Sequence, residues 1–148
     1  MTLRRIGPTI AKMRLLYRTE EGLEFKWFDE ASQVRYAILS HRWLDVEEEV
    51  TYKNIKNKRP LESKPKGRQK IVYLLDQAAK DGLEYAWIYT CCIDKTSSVE
   101  LSEAINTMYY WYQQATICYV FLHDVAADCP ELSGESDQTW LAHFAENV

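Results

Sequence analysis

The 148-residue sequence predicts an α/β fold: a mainly parallel sheet flanked by helices, with a β-hairpin at its N-terminal side. Three observations carry that prediction. Apolar runs stand at 34–40 (VRYAILS), 85–92 (YAWIYTCC) and 116–122 (TICYVFL), and apolar residues at consecutive positions suit strands buried on both faces of a parallel sheet. Helix-period patterns over 69–81 and 99–114 separate these runs. Strand, crossover helix and strand is the unit from which parallel sheets are built.

Taken in order, 14–17 and 23–28 flank a polar turn at 18–22 and read as a hairpin decorating the edge of the main sheet. The run 34–40 stops in His41, Arg42 and Trp43, followed by Asp45 and the acidic cluster 47–49. Residues 50–55 suit a short strand or a turn of helix. The stretch 53–68 carries two prolines and seven basic residues against the single acid Glu62, the composition of a solvated surface loop. It lacks the interleaved aromatics of a single-strand nucleic-acid surface.

In 69–81, Ile71, Leu74, Leu75, Ala78 and Ala79 form one apolar stripe, with Lys80 in the last turn and Gly82 placed to end the helix. Ser97 and Glu100 have capping-box spacing, and Leu101, Ala104, Ile105, Met108 and Tyr112 share a face of the helix that follows. The segment 126–148 reads as a loop with a short amphipathic piece at 140–145.

Composition sets the class. With 47% hydrophobic and 27% charged residues the chain fits one globular domain with a core, and five Trp and ten Tyr imply a rigid core or an interface. A formal net charge of −4 gives no general attraction to nucleic acid or to an anionic membrane. Cys91, Cys92, Cys118 and Cys129 contain no C-x-x-C pair. On a strand the adjacent Cys91 and Cys92 point to opposite faces, so neither a zinc site nor a disulfide framework is expected, and no metal. Reduced thiols, no signal peptide and no apolar run of 18 residues predict a cytoplasmic protein with no membrane span.

Parallel strands would bring their C-terminal ends to one edge, where open α/β sheets place ligands. That edge would gather Ser40, His41, Arg42, Trp43 and Asp45 from the first run, Asp94 and Lys95 from the second, and His123 and Asp124 from the third. Ser40, His41, Arg42, Trp43, Asp45, Asp94 and Lys95 are the ligand-binding candidates. His41, Asp94 and Glu103 are the catalytic ones.

Each has a bland alternative. His41 is an acid/base or a donor, or a strand-end histidine bonded to a carbonyl. Asp94 binds a hydroxyl, pairs with Arg42 or caps a turn. Trp43 stacks on a ligand ring or packs, and Glu103 has no capping role to explain it. A Cys92–His41 nucleophilic pair lacks a local cysteine-enzyme signature, so an inert buried thiol is expected. No G-x-G-x-x-G, phosphate-loop lysine, H-E-x-x-H or G-x-S-x-G motif is present. A phosphoacceptor receiver would want paired acids where Ser40 and His41 stand.

At these residues the sequence resembles a known family. YAILSHRW at 36–43, GLEYAWIYTCCIDKTSSVELSEAINTMYYWY at 82–112 and ATICYVFLHDV at 115–125 resemble successive blocks of the fungal heterokaryon incompatibility (HET) domain, over about 13–125. The resemblance carries Ser40, His41, Trp43, Cys92, Asp94 and Glu103 as motif positions. It implies a flavodoxin-like fold distantly related to Toll/interleukin-1 receptor (TIR) domains.

In function it implies self/non-self recognition that triggers programmed cell death through domain assembly. The implied partners are proteins, homotypic or other incompatibility or NLR-type proteins, and no cofactor is required. TIR relatives that cleave NAD with a glutamate supply the alternative, with NAD as substrate or ligand.

Two departures bear on activity. Tyr89 stands where the family usually has Asp, which removes a charge and an acceptor pair. The family also continues with a segment reading roughly Arg-Gly-Trp-Thr-Leu-Gln-Glu-Leu. Its absence before Val148 implies a domain truncated at its C-terminus and little turnover by this chain.

Overall fold

The computed structural model describes residues 12–122; the expectations for His123, Asp124, Cys129 and 126–148 lie outside the described residues. Strands β1 (Met13–Thr19) and β2 (Gly22–Phe28) form the antiparallel hairpin, in register from Met13↔Phe28 to Thr19↔Gly22. Its turn closes on Gly22 at φ 129°, a conformation that favours glycine. The Thr19 hydroxyl donates to the Gly22 carbonyl and accepts the Glu21 N–H.

Three strands follow: β3 (Tyr36–His41), β4 (Tyr85–Trp87) and β5 (Ile117–Phe121). The sheet order is β2-β1-β4-β3-β5, with β3 parallel to both β4 and β5 and β1 antiparallel to β4 at Leu16↔Ala86. The hairpin is therefore no edge decoration. β1 is an interior strand with Met13, Leu15 and Leu16 buried, and of the hairpin only β2 lies at an edge of the described sheet.

Among the described residues four α-helices pack on this mixed sheet, α1 (Tyr52–Lys56), α2 (Pro65–Lys80), α3 (Tyr89–Cys92) and α4 (Ser98–Gln114), with a 3-10 turn at Ala31–Gln33. α2 starts earlier than its apolar period suggests because Pro65 occupies the first turn, where a missing N–H costs nothing. It ends as predicted: Gly82 has φ 73°, its N–H bonds the Ala79 carbonyl, and the Leu83 N–H bonds the Ala78 carbonyl. The stretch 53–68 is not one loop; α1 and the start of α2 claim both its ends.

Register sorts the sheet's two faces. Leu39 pairs with Tyr119 and His41 with Phe121, so these share the face covered by α2, where Tyr73 meets the Phe121 ring at 5.3 Å and the Tyr119 hydroxyl donates to the Gln77 carbonyl. Tyr36 and Trp87 face α4: the Tyr36 hydroxyl donates to the Trp111 carbonyl at 2.5 Å, and Trp87 lies 5.5 Å from Trp111. The buried positions of α4 are Ala104, Thr107 and Trp111, whereas Ile105 of the expected stripe is exposed.

Two expected strands are corrected. The run 85–92 is a strand only as far as Trp87; after extended Ile88 the chain turns once as α3, with the Cys92 N–H bonding the Ile88 carbonyl at 3.0 Å. Cys92 Sγ in turn accepts the Ile88 N–H at 3.4 Å, taking a donor a longer ladder would have used. Both thiols are buried in that turn and do not straddle a strand. Among the described residues β5 is an edge strand of alternating exposure, Cys118 and Val120 being exposed, rather than a doubly buried one.

Candidate functional site

β3 and β4 run parallel and β1 runs against β4, so the end of β3 and the start of β1 meet at one edge of the sheet. Three networks stand there. The first is built on Lys70, which α2 carries on the same stripe as Leu74 and Ala78, one and two turns on. Lys70 is fully buried. Its ammonium contacts the Glu49 carboxylate, donates to the Arg42 carbonyl at 3.2 Å and lies within hydrogen-bond distance, 2.8 Å, of His41 Nδ1. Glu49 also accepts the Leu44 N–H at 2.8 Å, so the pair pins the segment after β3 onto α2.

Gly67 completes that seam. A Cβ there would sit 2.3 Å from the Glu48 carbonyl oxygen and 2.9 Å from the Val50 nitrogen. The loop backbone approaches the helix too closely for any side chain. Burial first, and then the neighbouring Lys70 charge, lowers the His41 pKa to about 4, so its imidazole is neutral near pH 7.

The second network is aromatic. Trp43 stacks on Tyr89 with ring centroids 4.7 Å apart and planes 9° from parallel. Lys95 Nζ lies 4.2 Å from the Tyr89 centroid and 5.1 Å from that of Trp43. Tyr89 also meets Trp87 edge-on at 6.4 Å, so aromatic contacts run from Trp111 through the sheet to the exposed ring of Trp43. Partial burial lowers the Lys95 pKa.

The third network centres on Arg14 of β1, which is 6% exposed. Its guanidinium donates to both Glu100 oxygens, at 2.6 and 3.3 Å, and to the Cys92 carbonyl at 3.2 Å. The rings of Trp27 and Tyr52 lie 4.3 and 4.2 Å from it. Glu100 accepts the Asp94 N–H at 2.9 Å, so its carboxylate serves Arg14 and the α3–α4 loop rather than closing the expected capping box. Ser97 still caps α4 by accepting the Glu100 N–H. A cavity of about 580 Å³ opens beside this network, with Arg14, Trp27, Glu100, Glu103 and Trp111 among its walls.

The structure brings together His41 and the Arg42 backbone in one cluster, and Trp43 with Lys95 in another. It does not assemble the three catalytic candidates. His41 bonds Lys70, Asp94 accepts the Thr96 N–H and hydroxyl in a turn that lowers its pKa, and Glu103 stands on the cavity wall with Arg14. Ser40 alternates to the sheet face opposite His41, and Asp45 accepts turn N–H groups from Glu48 and Glu49 through its carbonyl.

The Cys92–His41 pair does not form, since His41 Nδ1 is taken by Lys70 and Cys92 Sγ by Ile88. Among the described residues, no group of three His, Cys, Asp or Glu is placed to hold a metal. Nor is any helix there long and apolar enough to cross a membrane.

Sequence reasoning missed Arg14, Glu49, Lys70 and the stacking role of Tyr89. Lys70 had a signal: a cation on the stripe of Leu74 and Ala78, where a solvated lysine would not sit. Arg14 had none, because an arginine between apolar strand residues reads as an outward-facing one.

Comparison with known proteins agrees with the sequence blocks. The family model described as heterokaryon incompatibility protein (HET) matches residues 36–144. The vegetative incompatibility protein HET-E-1 of Podospora anserina is 44% identical over 130 residues, which is 86% of this chain. The aligned region is 9% of that relative's length. No solved structure matches. With blocks from β3 through β5 falling inside the matched region, the chain belongs to the heterokaryon incompatibility family.

Proposed function

We propose that this chain is a signalling domain of vegetative incompatibility, triggering programmed cell death through homotypic assembly or assembly with other incompatibility or NLR-type proteins. The observation that carries the reading is the outer face of α4 set against the scattered catalytic candidates. Ile105 and Tyr109, one turn apart, are 53% and 80% exposed, and Val99 is exposed on the same helix. Large apolar residues grouped on a surface mark interaction sites more often than isolated ones do. The polar groups at the strand ends, in contrast, are engaged one by one elsewhere: His41 Nδ1 by Lys70, Asp94 by Thr96 and Lys95 by the Tyr89 ring.

The test pairs two measurements on Ile105→Glu/Tyr109→Glu: sedimentation at high concentration, and killing when expressed in a fungal host. Loss of both self-association and killing is expected. A wild-type protein that stays monomeric, with a double variant that kills undiminished, would sink the reading.

A second reading, a TIR-like enzyme that cleaves NAD or binds a nucleotide, has one supporting observation. The parallel strands run β4-β3-β5, with the first in the middle, the arrangement of flavodoxin-like sheets, and His41, Trp43 and Lys95 follow the end of the middle strand. Nicotinamide release from NAD measures it. On this reading, release exceeds that of a His41→Ala/Asp94→Ala control, and Tyr89→Asp, which restores the family's carboxylate, raises it further.

A further inference from the structure

Lys70 offers three N–H donors, and three acceptors meet them: the Glu49 carboxylate, the Arg42 carbonyl and His41 Nδ1. The Glu49 contact balances the ammonium charge, so the group at 2.8 Å from Nδ1 is a donor and Nδ1 must accept. An imidazole that accepts at Nδ1 and is neutral carries its one proton on Nε2. Nε2 is buried and has no hydrogen-bond partner among the described residues.

We propose that Lys70 is a positioning residue which fixes His41 as the Nε2–H tautomer. His41 is thereby a hydrogen-bond donor toward an oxygen acceptor at the end of β3, and not a general base. This tautomer depends on neither assembly nor NAD cleavage, and it constrains both. Nε2–H is buried, so any group that comes to meet it must be an acceptor, such as a carbonyl, carboxylate or phosphate oxygen. A mechanism that asks His41 to abstract a proton is excluded by the ammonium on its other nitrogen.

The groups around the ring oppose one another, and those disfavouring the charged form prevail. Burial, Lys70 from α2 and Lys95 from the loop before α4 disfavour the imidazolium, while Glu49 and the Arg42 backbone favour it. Together they keep the ring neutral, and Lys70 selects which nitrogen holds the proton.

Nitrogen-15 NMR of the imidazole rings in the 148-residue chain tests this directly. His41→Gln assigns the His41 signals among the three histidines. From pH 5.5 to 8, the His41 Nε2 signal is expected at the shift of a protonated ring nitrogen and Nδ1 at that of an acceptor. A coupling through the hydrogen bond from Lys70 Nζ to Nδ1 is also expected. An Nδ1–H pattern, two averaging tautomers, or conversion to imidazolium near pH 6.5 would each overturn the proposal.

In Lys70→Met the two shifts are expected to converge as the tautomers exchange. A folded Lys70→Met that keeps the wild-type pattern would overturn the part assigned to Lys70. If that variant does not fold, the presence or absence of the wild-type coupling decides the same point.

Discussion

Two buried cations hold the same edge of the sheet by different chemistry. Lys70 comes from a helix, is fully buried, and directs a compact charge into a cage of carboxylate, carbonyl and imidazole. Arg14 comes from a strand, spreads its charge between the rings of Trp27 and Tyr52, and grips Glu100 with two bonds. Each also takes a backbone carbonyl from the segment it secures, Arg42 or Cys92. The comparison shows why a flat guanidinium and a point-like ammonium are not interchangeable here. One site offers ring faces and a bidentate partner, the other three acceptors around a single atom.

Lys70→Met should have the largest effect. It leaves Glu49 buried and unpaired, and urea unfolding should show a loss of about 3–5 kcal/mol. Lys70→Met/Glu49→Leu should recover much of that loss, because no charge is then stranded. A single variant within about 0.5 kcal/mol of wild type would mean that the cage is not what holds the loop.

Arg14→Lys should cost less, about 1–3 kcal/mol, since the charge beside Glu100 survives while the flat stacking and the second hydrogen bond are lost. Equal stability of Arg14→Lys and wild type, by thermal unfolding, would erase the distinction drawn between the two sites. Gly67→Ala probes the seam beneath Lys70. The added Cβ must push the backbone near Glu48, for an expected cost of about 1–3 kcal/mol and altered amide shifts over 48–50.

The smallest effect is on pH. The His41 pKa is lowered on folding, so the unfolded chain binds the proton more readily. His41 therefore favours folding above the ordinary value near 6.5, and that contribution is lost as pH falls toward about 4. With part of the ring open to solvent, the loss should be about 1–2 kcal/mol. Urea midpoints at pH 7 and 4.5 should fall more for wild type than for His41→Gln, and parallel declines would argue against a buried neutral imidazole.

Local chemistry made much of the fold legible. The hairpin, β3, the stripe of α2 and the glycine that ends it are each dictated within a few residues. The turn at Tyr89–Cys92 was not, because consecutive apolar residues suit a buried strand and a buried helical turn equally. What decides is the position of neighbouring strands and the thiol of Cys92.

At the site, His41, Trp43 and Lys95 were readable as polar or aromatic residues at strand ends. Their partners were not. Glu49 looks no different from Glu47 and Glu48 in sequence, yet it alone of the three is buried. Tyr89 reads as a lost carboxylate until its ring is seen against Trp43.

The placement of β1 has a consequence for how the chain emerges and folds. β1 and β2 meet through local contacts and can pair early, but β1's other neighbour is β4, joined at Leu16↔Ala86. Until α2 and β4 have been synthesised, Met13, Leu15 and Leu16 have little to cover them, and Arg14 waits longer still for Glu100. Closing that long loop is the kinetically demanding step. The nascent hairpin is thus the part of this domain most in need of shielding before the sheet is complete.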